Sequence, residues 1–127
     1  MTSGQRPRVL VVDDDLTIRA TFADILVGEG YDVTAAPDGR EAMRLAAGQR
    51  FDAILLDLFM PRMDGLTVLP LLRALAPGTG IVIVSAYIEP DRAADALRLG
   101  AAAVLAKPPN LDELLACFRD LTARGTA

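Results

Sequence analysis

The chain has 127 residues, the size of one ordinary domain, and 52% of them are apolar against 24% charged and 5% aromatic, which excludes disorder and requires a core of Leu, Val, Ile and Ala. A net charge of −4 with a pI near 4.7 argues against binding nucleic acid by charge. The absence of histidine removes imidazole bases, His-ligated metals and phosphohistidine from consideration.

Strand and helix patterns alternate along the chain. Val9–Val12 is a short apolar run and the first strand. Leu16–Val27 carries Ile18, Phe22, Ile25 and Leu26 at helical spacing, with Gly28 and Gly30 as its stop. Tyr31–Ala35 alternates and reads as an edge strand. Asp38 caps a helix through Ala47, closed by Gly48. Ala53–Leu56 is the third strand. Leu66–Leu75 follows as a helix with two adjoining stripes, Leu66/Leu69/Leu72 and Val68/Leu71/Leu75. Pro70 lies inside it and predicts either a kink or a later helix start. Ile81–Val84 is the fourth strand, and Pro90–Leu99 a helix begun by proline and stopped at Gly100. Ala102–Ala106 is a weak strand, assigned to an edge by its place in the pattern. Asn110 caps Leu111–Leu121, which lines up Leu111, Leu114, Leu115 and Phe118. Residues 8–121 therefore read as one domain, with 1–7 and 122–127 as short tails.

Five βα units predict an α/β fold: a parallel sheet with helices on both faces and right-handed crossovers. An eight-unit barrel would need about 250 residues, so an open doubly wound sheet is expected. The known flavodoxin-like strand order 2-1-3-4-5 is taken over here; the residues do not dictate it.

Sites in such sheets form outside the carboxyl ends of the strands. The first strand runs into Asp13-Asp14-Asp15, the third into Asp57, the fourth into Ser85 and the fifth into Lys107-Pro108. The second ends in Ala36-Pro37, with no reactive group, and in the order 2-1-3-4-5 it stands outside the site. Converging carboxylates repel one another, and a hard divalent cation relieves them. Oxygen ligands without histidine favour Mg²⁺. A carboxylate beside such a cation can attack a phosphoryl group, with Lys107 and Ser85 as the ammonium and hydroxyl that receive its oxygens. Lys107 is the only lysine beside twelve arginines, as expected where a compact ammonium is needed and a forked guanidinium does not fit. Its bond to Pro108 is a candidate cis peptide.

Singly, these residues have ordinary explanations. Aspartates at a helix start are common, serine after a strand is common, and one lysine can be a stray surface residue. Asp57 is harder to dismiss, because it is the one charge inside the apolar run Leu55–Pro61.

Together, Val11-Val12-Asp13-Asp14, Leu56-Asp57-Leu58-Phe59-Met60-Pro61-Arg62-Met63-Asp64-Gly65, Val84-Ser85-Ala86 and Lys107-Pro108 resemble the receiver domain of two-component response regulators, single-domain chemotaxis regulators included. The resemblance covers about residues 8–121. It implies that Asp57 accepts phosphate from a histidine kinase or phosphotransfer protein. It further implies that Asp14, Asp57 and the Phe59 backbone carbonyl hold Mg²⁺ directly, that Asp13 acts through a metal-bound water, and that Ser85 and Lys107 contact the phosphoryl oxygens. Asp15 falls outside the motif and reads as a helix cap. Thr17, Ile18, Thr21, Pro108 and Pro109 would border the kinase-docking face, although a single isoleucine is more often core.

Two departures bear on output. The position three before the lysine, usually Tyr or Phe, is Val104, so the usual rotating ring is missing. Pro109 stands where an aromatic is common. Phe59 and Tyr87, each two residues past a site residue, are candidate shields of an acyl phosphate, or merely cover their loops.

Other classes use some of the same residues. Asp13-Asp14-Asp15-Leu16-Thr17 contains the Asp-x-Asp-x-Thr signature of haloacid dehalogenase-type phosphohydrolases, with Asp13 as nucleophile and Asp15 as acid/base. That reading lacks the later acidic pair and leaves Asp57 without a role. A flavin or nucleotide module needs a Gly- or hydroxyl-rich loop where three aspartates stand. A receiver-like module that is never phosphorylated would not need the complete set.

The expectation is thus a cytoplasmic phosphorylation switch rather than an enzyme acting on other molecules, limited to its own phosphorylation and dephosphorylation. It would act as a stand-alone protein or as a piece of a larger regulator. Its partners would be a kinase or phosphotransfer protein and a downstream target or output domain, without direct nucleic-acid or membrane contact. The face of the fourth helix, fifth strand and fifth helix is a candidate for phosphorylation-dependent dimerisation. No apolar run approaches the roughly 20 residues of a membrane span, no signal peptide is evident, and Cys117 has no partner for an internal disulfide.

Overall fold

A computed structural model of the chain describes residues 6–60, 64–86 and 88–123. Five strands and five helices alternate: β1 (Arg8–Val12), α1 (Leu16–Gly28), β2 (Asp32–Ala36), α2 (Gly39–Gly48), β3 (Ala53–Asp57), α3 (Gly65–Leu75), β4 (Gly80–Ser85), α4 (Pro90–Arg98), β5 (Ala103–Ala106) and α5 (Leu111–Ala123). The strands are all parallel, in the order β2-β1-β3-β4-β5, so β2 and β5 are edges as expected.

Period-two alternation splits the central strands between two cores. Leu10, Val12, Ile54, Leu56, Ile81 and Ile83 face one way, onto Ala42 and Ala46 of α2, Val68, Leu69 and Leu72 of α3, and Ala96 of α4. Val9, Val11, Ala53, Leu55, Val82 and Val84 face the other, onto Phe22 and Leu26 of α1 and Leu114 and Phe118 of α5. Each fully buried Leu, Val, Ile or Phe contributes about 1.5–3 kcal/mol relative to exposure, and it is this double burial that makes the strands continuous apolar runs.

Capping follows the sequence. Asp15 Oδ1 accepts from the Ile18 N–H at 3.0 Å and Asp38 Oδ1 from the Glu41 N–H at 2.8 Å. Asn110 Oδ1 accepts from the Glu113 N–H at 3.0 Å. Gly30 and Gly100, just past α1 and α4, take φ of +97° and +113°, where a side chain would be strained. The Lys107–Pro108 peptide is cis, as expected.

Several expectations need correction. Asp57 and Ser85 are the last residues of β3 and β4, not the first beyond them, because their backbones still pair with the neighbouring strand. Helix α3 starts at Gly65 and runs through Pro70, so of the two expectations the later start is not met; Pro70 is the sixth residue of the helix and is exposed. Neither α3 stripe is core in full, since Leu66 is only partly buried and Leu71 and Leu75 are each 44% exposed. Leu111 at the start of α5 is likewise exposed, while Leu114 and Phe118 are fully buried.

Candidate functional site

The carboxyl ends of β1, β3, β4 and β5 gather the residues singled out in the sequence. Asp13 follows β1 directly and is buried, with its N–H donating to the Ala36 carbonyl of β2 at 3.2 Å. Its two carboxylate oxygens have separate partners. Oδ1 accepts from the Asp15 N–H at 2.9 Å, and Oδ2 from Lys107 Nζ at 2.7 Å. Arg19 of α1 reaches back to donate to the Asp13 carbonyl at 2.8 Å, which braces the loop from the helix side.

Asp57 is also buried. Its Oδ1 accepts from the Phe59 N–H at 3.1 Å, and its Oδ2 lies 3.4 Å from Lys107 Nζ. Lys107 thus bridges two carboxylates, and its own N–H donates to the Ser85 carbonyl at 2.8 Å, carrying the parallel pairing of β4 and β5 one step further. Ser85 is fully buried, and its hydroxyl has no hydrogen-bond partner among the described residues. A buried hydroxyl left unpaired is costly, which marks a place where an acceptor oxygen would be favoured.

Asp14 is exposed, and it completes a trio with Asp13 and Asp57 in which each offers an oxygen within 4.8 Å of the others. Burial pushes the Asp57 carboxyl above its ordinary value; the Phe59 N–H and the Lys107 charge oppose that rise, and the Asp13 charge adds to it. Burial by itself would lower Lys107, but its hydrogen bond to Asp13 and the Asp57 and Asp13 charges prevail and raise it. Lys107 is therefore a firm ammonium, yet it does not fully compensate Asp57. Three carboxylates around one ammonium leave a net negative, all-oxygen cluster, a donor set that fits a hard divalent cation.

The other candidate residues are more dispersed. Asp15 is exposed and caps α1. Phe59 is 49% exposed, and the Phe59–Tyr87 shield lies partly outside the described residues, as do Pro61, Arg62 and Met63 of the motif. Thr17, Thr21 and Pro108 are exposed and Pro109 half-buried, whereas Ile18 packs partly against the α1/α5 core. Val104 is half-buried against the opposite core.

Arg92 and Arg19 escaped the sequence reading, and Asp64 entered it only as part of the motif. Asp64 caps α3, its Oδ1 accepting from the Leu66 N–H at 2.9 Å; an aspartate just before Gly65 and an apolar helical stripe was the available signal. Arg92 donates to the same Asp64 oxygen at 2.9 Å, and Arg19 donates to Asp13. Neither pairing has a local signature.

Comparison with known proteins gives one consistent result. The family model described as the response regulator receiver domain matches residues 9–119. Response regulator MprA of Mycolicibacterium vanbaalenii is 43% identical over 119 residues, which are 94% of this chain and 52% of that protein. The chain thus spans about half the length of the curated relatives it matches. Among solved structures, the Francisella response regulator 1452 receiver domain superposes with a TM-score of 0.87 at 34% identity, covering 94% of this chain and 99% of the other. A Burkholderia pseudomallei response regulator, solved with a phosphorylated aspartic acid, a calcium ion and citrate, superposes with a TM-score of 0.85 at 31% identity over 94% of this chain and 71% of its own.

Proposed function

The chain belongs to the response regulator receiver family of two-component signalling, and from that premise we propose that Asp57 is its phospho-acceptor. The observation that carries the reading is one arrangement at the end of β3. A buried carboxylate lies 3.4 Å from a bridging ammonium, Lys107, and the adjoining strand β4 ends in Ser85, a buried hydroxyl without a partner among the described residues.

In the transfer, an Asp57 oxygen attacks the phosphorus of a phosphohistidine on a kinase or phosphotransfer protein. The O–P bond forms as the P–N bond breaks, and the electron pair leaves with the imidazole, which is protonated as it departs. Asp57 is suited to attack because burial leaves its carboxylate poorly solvated. Lys107 turns from Asp13 toward the incoming phosphoryl oxygens, and Ser85 donates its free hydroxyl to one of them. Asp14, Asp57 and the Phe59 carbonyl would hold Mg²⁺ directly, and Asp13 through a water. Bound there, Mg²⁺ supplies charge neutralisation for the carboxylates and the phosphoryl group. The phosphorylated aspartic acid and calcium ion in the similar Burkholderia regulator support an aspartate acceptor and a divalent cation as the chemistry of this fold.

Phosphorylation adds about two negative charges to the site and shifts the balance between two surface states. With Val104 in place of a ring, the shift travels through backbone and loops. The altered surface engages a downstream protein or an output domain, given that the chain spans about half of its relatives' length. The face of α4, β5 and α5 serves a phosphorylation-dependent dimer. The chain acts in the cytoplasm, without contacting nucleic acid or membrane itself; no described helix is long and apolar enough to cross a membrane. Its chemistry is confined to its own Asp57, in phosphorylation and later hydrolysis.

Acetyl phosphate with Mg²⁺, read by intact mass, tests this. One added phosphoryl group is expected, dependent on Mg²⁺ and lost in Asp57→Asn. An adduct kept in Asp57→Asn but lost in Asp13→Asn would move the acceptor to Asp13.

A further inference from the structure

Helix α4 is loosely anchored: among its described residues only Ala96 is fully buried, and its N-cap, Glu89, makes no side-chain cap bond. Its first turn is tied to the rest of the protein by Arg92. The Arg92 Nη2 donates to Asp64 Oδ1 at 2.9 Å, and its guanidinium carbon lies 5.5 Å from the centre of the Phe59 ring. Its Nε is buried with no partner among the described residues, so charge and ring contact, rather than full hydrogen bonding, hold the guanidinium there.

Both of its partners are fastened to the phosphorylation site. The Phe59 N–H donates to Asp57 Oδ1 at 3.1 Å. Asp64 caps α3, and the next residue, Gly65, is pressed onto the end of β3, its N–H donating to the Leu58 carbonyl at 2.9 Å. Arg92 therefore clamps α4 to a loop whose backbone is bonded to the Asp57 carboxylate.

We propose that Arg92 is a positioning residue that couples the state of Asp57 to helix α4. While the free carboxylate accepts the Phe59 N–H, the Phe59–Arg92–Asp64 clamp is closed and holds the first turn of α4. A phosphoryl group on Asp57 draws the carboxylate oxygens into new bonds, loosens Phe59, and releases that turn. The clamp thus does, from the β3–α3 loop, the work for which residue 104 lacks a ring. Coupling is reciprocal: a clamp that favours the free carboxylate also opposes its modification. The proposal rests on Asp57 being the acceptor.

The test uses the full chain with Mg²⁺ and beryllofluoride, a phosphoryl mimic. Uptake is followed by ¹⁹F resonance, and amide exchange of the segment 88–99 by mass spectrometry, for wild type, Arg92→Ala and Asp64→Asn. Asparagine keeps the α3 cap but removes the charge that Arg92 meets. In wild type, beryllofluoride is expected to speed exchange in α4. In Arg92→Ala the fast exchange is expected already without the mimic, with no further change on binding, and the mimic binds about three- to tenfold more tightly, the size of one exposed cation–π contact plus one exposed ion pair. Asp64→Asn shifts both readings the same way by less. Wild-type affinity and wild-type exchange in Arg92→Ala would overturn the coupling alone. A wild-type protein that takes up no beryllofluoride would overturn the acceptor reading, and the coupling with it.

Discussion

Lys107 Nζ donates to Asp13 Oδ2 at 2.7 Å across 94 residues of sequence, joining the ends of β1 and β5, two strands that are not neighbours in the sheet. With Asp57 3.4 Å away on the other side, this one ammonium is the cation that holds the buried carboxylates together. Lys107→Ala is expected to destabilise the protein by about 3 kcal/mol in metal-free buffer, because it leaves buried charge unpaired. Urea unfolding with and without Mg²⁺ measures this, and the loss should shrink when Mg²⁺ is present.

Asp57 predicts a change of the opposite sign. Its folded pKa is raised by burial, so the folded state binds more protons than the unfolded one between the unfolded value and the raised value. Stability from this group is therefore present at low pH and lost as pH rises through the folded pKa. Asp57→Asn removes the ionised group and should stabilise the metal-free protein near neutral pH by on the order of 1 kcal/mol. Thermal melts across the acidic range should show the gain fading as pH falls. A loss of stability at pH 7 would contradict the raised pKa.

Gly65 has no room for a side chain. A Cβ there would stand 2.6 Å from the Leu58 Cα and 2.9 Å from the Asp57 and Leu58 carbonyl oxygens, all backbone atoms that cannot swing aside. Gly65→Ala should cost about 1–3 kcal/mol and slow the labelling of Asp57 by acetyl phosphate, since the displaced atoms belong to the acceptor's own strand end. Unfolding midpoints and intact-mass time courses read the two effects separately.

Asp15 distinguishes a cap from a catalytic acid. It is exposed and accepts from the Ile18 N–H, so Asp15→Ala should cost about 1 kcal/mol of stability. The rate and extent of Asp57 labelling should stay unchanged. A phosphohydrolase of the Asp-x-Asp type would instead lose turnover of a small phosphate ester.

Cys117 should be a slow thiol. Burial, followed by the charges of Glu113 and Asp120, pushes its pKa above the ordinary thiol value. Little thiolate is then present at pH 7, and alkylation by iodoacetamide is expected to be slower than for free cysteine, accelerating only in more alkaline buffer or urea.

How much of the site was legible varied with the kind of interaction. Asp13, Asp57, Ser85 and Lys107 were readable because a parallel sheet aligns its strand ends, so the residue at the end of each apolar run is already a candidate. The caps Asp15, Asp38 and Asn110 were readable because a cap binds an N–H three residues ahead. Arg92 and Arg19 were not, since which carboxylate or carbonyl a long side chain reaches depends on how two helices seat against loops.

The sequence alone therefore determined the alternation of elements, the doubly buried strands and the set of reactive side chains, because those depend on local periodicity and on where each apolar run stops. Tertiary structure decided what those side chains meet. Only the packed sheet brings Lys107 between Asp13 and Asp57, leaves the Ser85 hydroxyl without a partner among the described residues, sends α1 and α5 to one face and α2, α3 and α4 to the other, and lays Arg92 over Phe59. Those outcomes depend on distances between residues far apart in the chain, which no local pattern encodes.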